Sequence, residues 1–250
     1  ANPRWPCTRS TPFRSLTYVS ELWRELMGEY RIIEVKQSVF AANEKSADQL
    51  REEMKKKGTL LVNLMSSPGS GKTTTLKKTI AALKDKVSIA VMEADIDSDV
   101  DAAAISETGV KAIQLHTGGM CHLDAHMCAQ GLEGLNAGDV DLIFLENVGN
   151  LVCPAEFDTG AGVNVTILSV PEGDDKPLKY PLMYQVCDVV LVNKIDVAPY
   201  FDFDLEKLKK NVALRNPKAT VIPFSAKTGE GLDVWTEWLS RKVTEWKSSQ

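Results

Sequence analysis

The sequence predicts an α/β fold with a mainly parallel sheet flanked by helices. Three observations carry this. Continuous apolar runs recur between residues 60 and 224, as expected of strands buried on both faces. Stretches with helical periodicity separate them, which is the signature of βαβ crossovers. The run Leu60–Met65 feeds the Gly-rich turn Ser66-Ser67-Pro68-Gly69-Ser70-Gly71-Lys72-Thr73-Thr74, which then opens a helix.

In chain order, residues 1–15 carry Arg4, Arg9 and Arg14, three prolines and no acid. They lack an apolar stretch of the secretory kind and read as a poorly ordered start. Helical pieces are expected at about 16–28 and 44–57, the second charge-rich with one face packed on the domain. Strands are expected at Leu60–Met65, Val87–Glu93, Ala112–His116, Leu142–Glu146, Val163–Val170, Val189–Val192 and Thr220–Phe224. Helices are expected at 71–84, 99–108, 122–136, 177–186, 203–215 and 231–246. The last holds Leu232, Val234, Trp235, Trp238, Leu239, Val243 and Trp246, an apolar stripe suited to a core-facing helix. The organisation expected is an extension over 1–29 and one nucleotide-binding domain over 30–250.

Composition sets outer bounds. With 44% hydrophobic and 25% charged residues in 250, the chain can fill one sizeable core. A net charge of −5 argues against a general nucleic-acid binder. No apolar run approaches the ~20 residues a membrane helix needs. Five cysteines, Cys7, Cys121, Cys128, Cys153 and Cys187, are too few and too scattered for a disulfide framework, so reduced thiols and a cytoplasmic location are expected.

The turn at 66–74 has the chemistry of a phosphate cradle. Backbone N–H groups of Gly69, Ser70, Gly71, Lys72, Thr73 and Thr74 converge, Lys72 reaches the β- and γ-phosphates, and the Thr73 hydroxyl can hold Mg²⁺. Ser66 stands where G-x-x-x-x-G-K-[ST] has its first Gly, which is compatible with a negative φ. Asn193-Lys194-Ile195-Asp196 ends another apolar run. A carboxylate at Asp196 can accept two hydrogens from the guanine edge, a pair adenine lacks. Ser225-Ala226-Lys227 follows the next run and resembles the loop in which an Ala N–H bonds the guanine oxygen. Motifs in this order at strand ends predict GTP.

Acidic groups lie between these motifs. Asp95 ends the second strand, where it can hold Mg²⁺, and Asp101 lies close enough to orient an attacking water. Asp97 and Asp99 read as a solvated helix start. Glu146 ends another strand and can support Mg²⁺, while the Gly149 N–H can meet the γ-phosphate.

All three histidines, His116, His122 and His126, fall within eleven residues, with Cys121 and Cys128 among them. His122 and His126 are spaced i, i+4, on one face of a helix starting near 122. Cys153-Pro154 follows Glu146. Cys121 and Cys153 are expected to follow neighbouring strands, so that the two thiols can meet above the sheet. Two thiolates with one or two imidazoles are competent for Zn²⁺ or Ni²⁺. The alternative is thiols in apolar pockets beside a hydrogen-bonded imidazole. Cys128 and Cys187 sit among apolar neighbours and read as core.

Taken together, residues 65–74, Thr117 to Ala125, Glu146 to Pro154 and Asp174-Asp175-Lys176-Pro177-Leu178-Lys179-Tyr180-Pro181 resemble the HypB family, GTPases of [NiFe]-hydrogenase maturation, over about residues 30–245. The family also carries Ser at the position of Ser66. The resemblance implies a SIMIBI-type P-loop GTPase fold that dimerises around nucleotide. It implies metal ligation by Cys121, His122 and Cys153, with His126 auxiliary, and a phosphate contact from Lys179, with Lys176 a weaker candidate. The implied partners are a HypA-type nickel chaperone and the hydrogenase large-subunit precursor. The N-terminal region departs from the family pattern: with only Cys7 and no His, a high-affinity N-terminal nickel site is not expected. Ala94 replaces the family's Gly before Asp95.

The resulting expectation is GTP hydrolysis to GDP and phosphate that drives nickel insertion, with Lys72, Asp95, Asp101 and Glu146 as catalytic groups. Cys121 and Cys153 from two subunits would complete one metal site when GTP closes the dimer. Turnover should be slow, because no Gln follows Gly149 to orient water and no arginine finger is evident. The alternatives are a related nickel or cobalamin enzyme-maturation GTPase, or a metal-binding protein that uses GTP structurally.

Overall fold

The computed structural model describes residues 35–95 and 105–249, with side chains from Val39 to Ala94 and from Ile105 onward. The helix expected over 16–28 and most of that over 99–108 lie outside the described residues.

Among the described residues seven strands, β1 (Leu60–Ser66), β2 (Ile89–Asp95), β3 (Lys111–His116), β4 (Leu142–Glu146), β5 (Val163–Ser169), β6 (Val189–Asn193) and β7 (Thr220–Pro223), form one sheet. Their order is β3-β2-β4-β1-β5-β6-β7, and every pairing is parallel. The reason lies in the sequence. Strands β1, β4 and β6 are buried at every residue, so their apolar runs satisfy helices on both faces. β3 and β7 are half-exposed because they are the edges.

The helices are α1 (Val35–Lys57), α2 (Lys72–Leu83), α3 (Ala125–Leu135), α4 (Cys153–Glu156), α5 (Lys176–Lys179), α6 (Pro181–Gln185), α7 (Leu205–Ala213) and α8 (Leu232–Ser248). On one face of the sheet, Leu76 and Ile80 of α2 and Trp235, Trp238, Leu239 and Val243 of α8 pack on Leu60, Val62 and Leu64. On the other face Leu50 and Met54 of α1 and Cys128 and Leu135 of α3 meet Leu61 and Leu145. Met183, Tyr184, Leu208 and Val212 cover the β5–β6 half of that face. Each fully buried side chain of this size contributes roughly 1.5–3 kcal/mol of transfer free energy.

Three expectations are corrected. The helix expected over 122–136 begins at Ala125, because the Asp124 carboxylate accepts the Met127 N–H at 2.8 Å and caps it there. The helix expected over 177–186 is two short pieces broken at Tyr180, since Pro181 cannot donate into the preceding turn. In α8 the apolar stripe faces the core except for Val234, which is 52% exposed.

Because all strands run the same way, Ser66, Glu146, Ser169 and Asn193 end at one edge of the sheet. From β1 the chain moves first toward β2 and β3, then returns past β1 to β5, β6 and β7. The loops after β1 and its neighbours therefore open a crevice at that edge, where ligands of such sheets bind.

Candidate nucleotide and metal sites

The phosphate loop is built from backbone freedom at two glycines. Gly69 and Gly71 have φ of +74° and +99°. A Cβ at Gly71 would lie 2.5 Å from Asn193 Nδ2. Ser66 is not among the residues with positive φ, so the position tolerates a side chain. That side chain is used: Lys72 Nζ donates to Ser66 Oγ at 3.0 Å, and Ser66 Oγ donates to Ser67 O at 2.7 Å. Ser70 Oγ is buried without a hydrogen-bond partner. A buried orphan hydroxyl in a Gly-rich turn that opens a helix fits a phosphate oxygen.

Glu146, at the end of β4, accepts from Thr73 Oγ1 at 2.8 Å. The hydroxyl and carboxylate that the sequence assigns to Mg²⁺ are thus adjacent, a hard oxygen donor set of the right kind. Asp95 ends β2 opposite His116 in register. Asp101 lies outside the described residues.

The loop after Glu146 is pinned by a buried amide ladder. Asn147 Nδ2 donates to Asn63 Oδ1 at 3.1 Å, and Asn63 Nδ2 donates to Asn164 Oδ1 at 3.1 Å. Gly149 then lies against the phosphate loop, where a Cβ would sit 3.2 Å from Pro68. The ladder was missed in the sequence, although a lone Asn63 inside an apolar strand is its signal. Glu172 was missed as well. It accepts from the Ser169 N–H and Oγ, each at 2.8 Å, and from Ser67 Oγ, so it ties β5 to the phosphate loop. The spacing Ser169-x-x-Glu172, a capping box, could have shown it.

Asn193 joins three segments. Its Nδ2 donates to Ser70 O at 2.9 Å, and its Oδ1 accepts from the N–H of Lys194 at 2.8 Å and of Ala226 at 3.0 Å. The Ala226 N–H, assigned above to the guanine oxygen, here has Asn193 as its partner. Lys194 has φ +64°, and its Nζ donates to Gly69 O at 2.8 Å. Ser225 Oγ donates to Asp196 Oδ1 at 2.6 Å. Gly71, Thr74, Asn193, Lys194, Asp196, Ala226 and Lys227 line a pocket of about 270 Å³ beside the phosphate loop. Lys179 is elsewhere: it is exposed and paired with Asp175 at 2.6 Å. Lys176 lies over the Tyr180 ring, 5.4 Å from its centroid.

Cys121, His122 and Cys153 converge, with ligand atoms all within 4.8 Å of one another. Cys121 and His122 lie in the turn before α3, and Cys153 starts α4, followed by Pro154 where a helix tolerates it. Their strands are not neighbours, since β2 separates β3 from β4. The loops, not adjacent strand ends, bring the thiols together. They meet within one chain. His126 is exposed on α3 and is not in the cluster, because the helix begins after His122 and the i, i+4 relation is lost. His116 is exposed at the end of β3.

Burial pushes the His122 imidazolium below its ordinary value, against the pull of Asp124 and Glu156. The neutral, ligating form is therefore favoured near neutral pH. The hydrogen bond with Cys121, then burial, pushes the Cys153 thiol up. Burial raises Cys187 to about 12 and Cys128 further, as expected of core thiols. Soft thiolates with one imidazole suit nickel or zinc and leave a coordination position open.

Residues 59–223 match the CobW/HypB/UreG nucleotide-binding domain family. The hydrogenase maturation factor HypB of Escherichia coli strain K12 is 47% identical over 213 residues, covering 85% of this chain and 73% of the relative. The crystal structure of Helicobacter pylori HypB in complex with nickel superposes with a TM-score of 0.77 at 38% identity, covering 82% of this chain and 96% of that one. The signal recognition particle 54 kDa protein of Aeropyrum pernix, with GDP, shares only the fold, at 12% identity and a TM-score of 0.50, over 84% of this chain and 53% of that one. With the phosphate loop, the N-K-x-D corner and the Cys-His cluster in place, this chain belongs to the HypB family of hydrogenase maturation GTPases, on a SIMIBI-type P-loop fold.

Proposed function

We propose that the chain is a GTP-gated nickel donor over residues 30–250, in which one loop reads the nucleotide at one end and holds the metal at the other. The observation that carries this reading is the loop's course. Glu146 accepts from Thr73, Gly149 lies against Pro68, and Cys153, seven residues after Glu146, belongs to the Cys-His cluster.

Residues 69–74 would cradle the phosphates, with Lys72 neutralising charge on the β- and γ-oxygens. Asp196 would read guanine, and Lys227 would close its pocket. Thr73, Glu146 and Asp95 would hold Mg²⁺, which neutralises charge on the leaving phosphate. Asp101 would orient the water that attacks the γ-phosphorus as the bond to the β-phosphate oxygen breaks, giving GDP and phosphate. Loss of the γ-phosphate frees the Gly149 loop, and the shift reaches Cys153. By linkage, metal must change nucleotide affinity by the same factor. Ni²⁺ is the cargo, with Zn²⁺ as the competing ion.

In this reading the protein works in the cytoplasm as a homodimer favoured by GTP. Nickel comes from a HypA-type chaperone and goes to the hydrogenase large-subunit precursor. Lys179, exposed on α5, would exchange its ion pair with Asp175 for a phosphate of a partner's nucleotide.

An equilibrium Ni²⁺ titration of wild type and Cys153→Ser, each with and without a non-hydrolysable GTP analogue, tests the proposal. Nickel binding should require Cys153 and shift with nucleotide. Binding indifferent to both sinks it. The rival, GTP in a structural role only, predicts that Lys72→Ala abolishes hydrolysis yet leaves hydrogenase maturation intact.

A further inference from the structure

The His122 ring does not stand alone. It stacks on Phe157, with centroids 3.9 Å apart and planes 15° from parallel. Phe157 in turn packs on Phe40 of α1, at 5.0 Å and 42°. One turn along α1, Asn43 bridges the same two segments. Its Oδ1 accepts the Ala125 N–H at 2.9 Å, three residues after His122. Its Nδ2 donates to the Asp158 carbonyl at 2.9 Å, one residue after Phe157. One partner is an N–H and the other a C=O, so the amide is needed in one orientation and a carboxylate cannot replace it. Arg51, also on α1, secures Asp158 from the other side at 2.6 Å.

These contacts are misplaced for a purely structural role. α1 docks on the sheet through Ala47, Leu50 and Met54, all buried. Phe40 and Asn43 are only half-buried and lie beyond that docking surface. What they add is alignment. An imidazole has two side-chain torsions and must aim one nitrogen at the metal. His122 Nδ1 lies 4.0 Å from Cys121 Sγ. A parallel ring at 3.9 Å fixes the imidazole plane, and the Asn43 bridge fixes the separation of the Cys121-His122 turn from the Cys153 helix. Groups that orient a ligand in this way commonly change metal affinity by about 10–100-fold when removed.

We infer that Phe157 and Asn43 are positioning residues of the metal centre, and that α1 thereby sets how His122 enters the coordination shell. The inference rests on the reading of Cys121, His122 and Cys153 as ligands.

The test is Ni²⁺ affinity by equilibrium titration, with X-ray absorption of the nickel-loaded protein to count imidazole ligands, on the full chain. Phe157→Leu should weaken nickel binding about 10-fold and lower the imidazole scattering. Phe157→Tyr should restore both, since it keeps the ring. His122→Ala with Phe157→Leu should bind no more weakly than His122→Ala alone, because the ring acts through His122. If Phe157→Leu fails to fold, Asn43→Asp carries the same comparison on a half-buried residue. Wild-type affinity and imidazole scattering in Phe157→Leu or Asn43→Asp overturns the inference. So does additivity with His122→Ala. Nickel binding unchanged by Cys153→Ser is a separate result that removes the ligand reading, and this inference with it.

Discussion

Thr73, at the start of α2, and Glu146, at the end of β4, are 73 residues apart and joined by a 2.8 Å hydrogen bond. The hydroxyl comes from the phosphate loop, and the carboxylate begins the loop that ends at Cys153. The phosphate loop and the loop that carries Cys153 therefore meet at this pair.

Glu146→Gln keeps the shape and removes the charge. GTP turnover should fall by about 10²-fold, the scale of losing one preorganised electrostatic group. Phosphate release at saturating Mg²⁺ and GTP checks this. Turnover within twofold of wild type would remove Glu146 from the catalytic set.

Gly71→Ala should abolish nucleotide binding. The new Cβ would lie 2.5 Å from Asn193 Nδ2, in a backbone conformation with φ of +99°. Relieving that clash means giving up the Asn193 bond to Ser70 O, which aligns the base corner with the phosphate loop. Fluorescent GDP titration is the measurement, with circular dichroism as the fold control.

Trp235→Phe tests the α8–α2 contact. The indole Nε1 donates to Thr79 Oγ1 at 2.9 Å between two fully buried side chains. Phe fills most of the volume and leaves the indole's hydrogen-bonding role empty. The expected cost is about 1–3 kcal/mol in urea unfolding, the range for an unsatisfied buried polar group together with lost volume.

Asp141 gives an acid-side pH dependence. Burial works to raise its carboxyl. The bond from Lys247, together with the Ser88 contacts, outweighs this and holds it below the ordinary aspartate value. A lowered folded-state value means the contribution is complete above the unfolded value, near pH 4, and is lost as pH falls through the folded one. Unfolding midpoints should therefore drop below about pH 4, and Asp141→Asn should flatten that slope. An identical slope in the variant would assign the acid sensitivity elsewhere.

Thiol labelling separates the cysteines. Brief alkylation of the native protein at mildly alkaline pH should modify half-buried Cys121 and Cys153 and spare buried Cys128 and Cys187. Ni²⁺ should protect the first pair. Mass spectrometry of the digested protein reads both results. Rapid labelling of Cys187 would contradict its burial in the core.

Much of the fold was legible in the sequence because its signals are local. A fully buried strand must be continuously apolar, so β1, β4 and β6 were visible as runs. A phosphate loop is a property of consecutive backbone groups, so residues 66–74 declared themselves without their neighbours. The same holds for Asn193 to Asp196 and Ser225 to Lys227. What one residue does to the next few is encoded in spacing.

Tertiary structure decided the rest. Strand order placed β2 between β3 and β4, so Cys121 and Cys153 meet through loops rather than from adjacent strands. A single capping carboxylate, Asp124, moved the start of α3 and took His126 out of the cluster. The bridge from Asn193 to Ser70, the ladder Asn147–Asn63–Asn164 and the His122–Phe157 stack join residues 35 to 123 positions apart. Such pairs form only when packing has fixed which strands are neighbours. The sequence alone determined the phosphate loop and the buried strands, because their chemistry is contiguous. The three-dimensional fold decided which thiol, imidazole and amide would share a site, because those distances depend on topology.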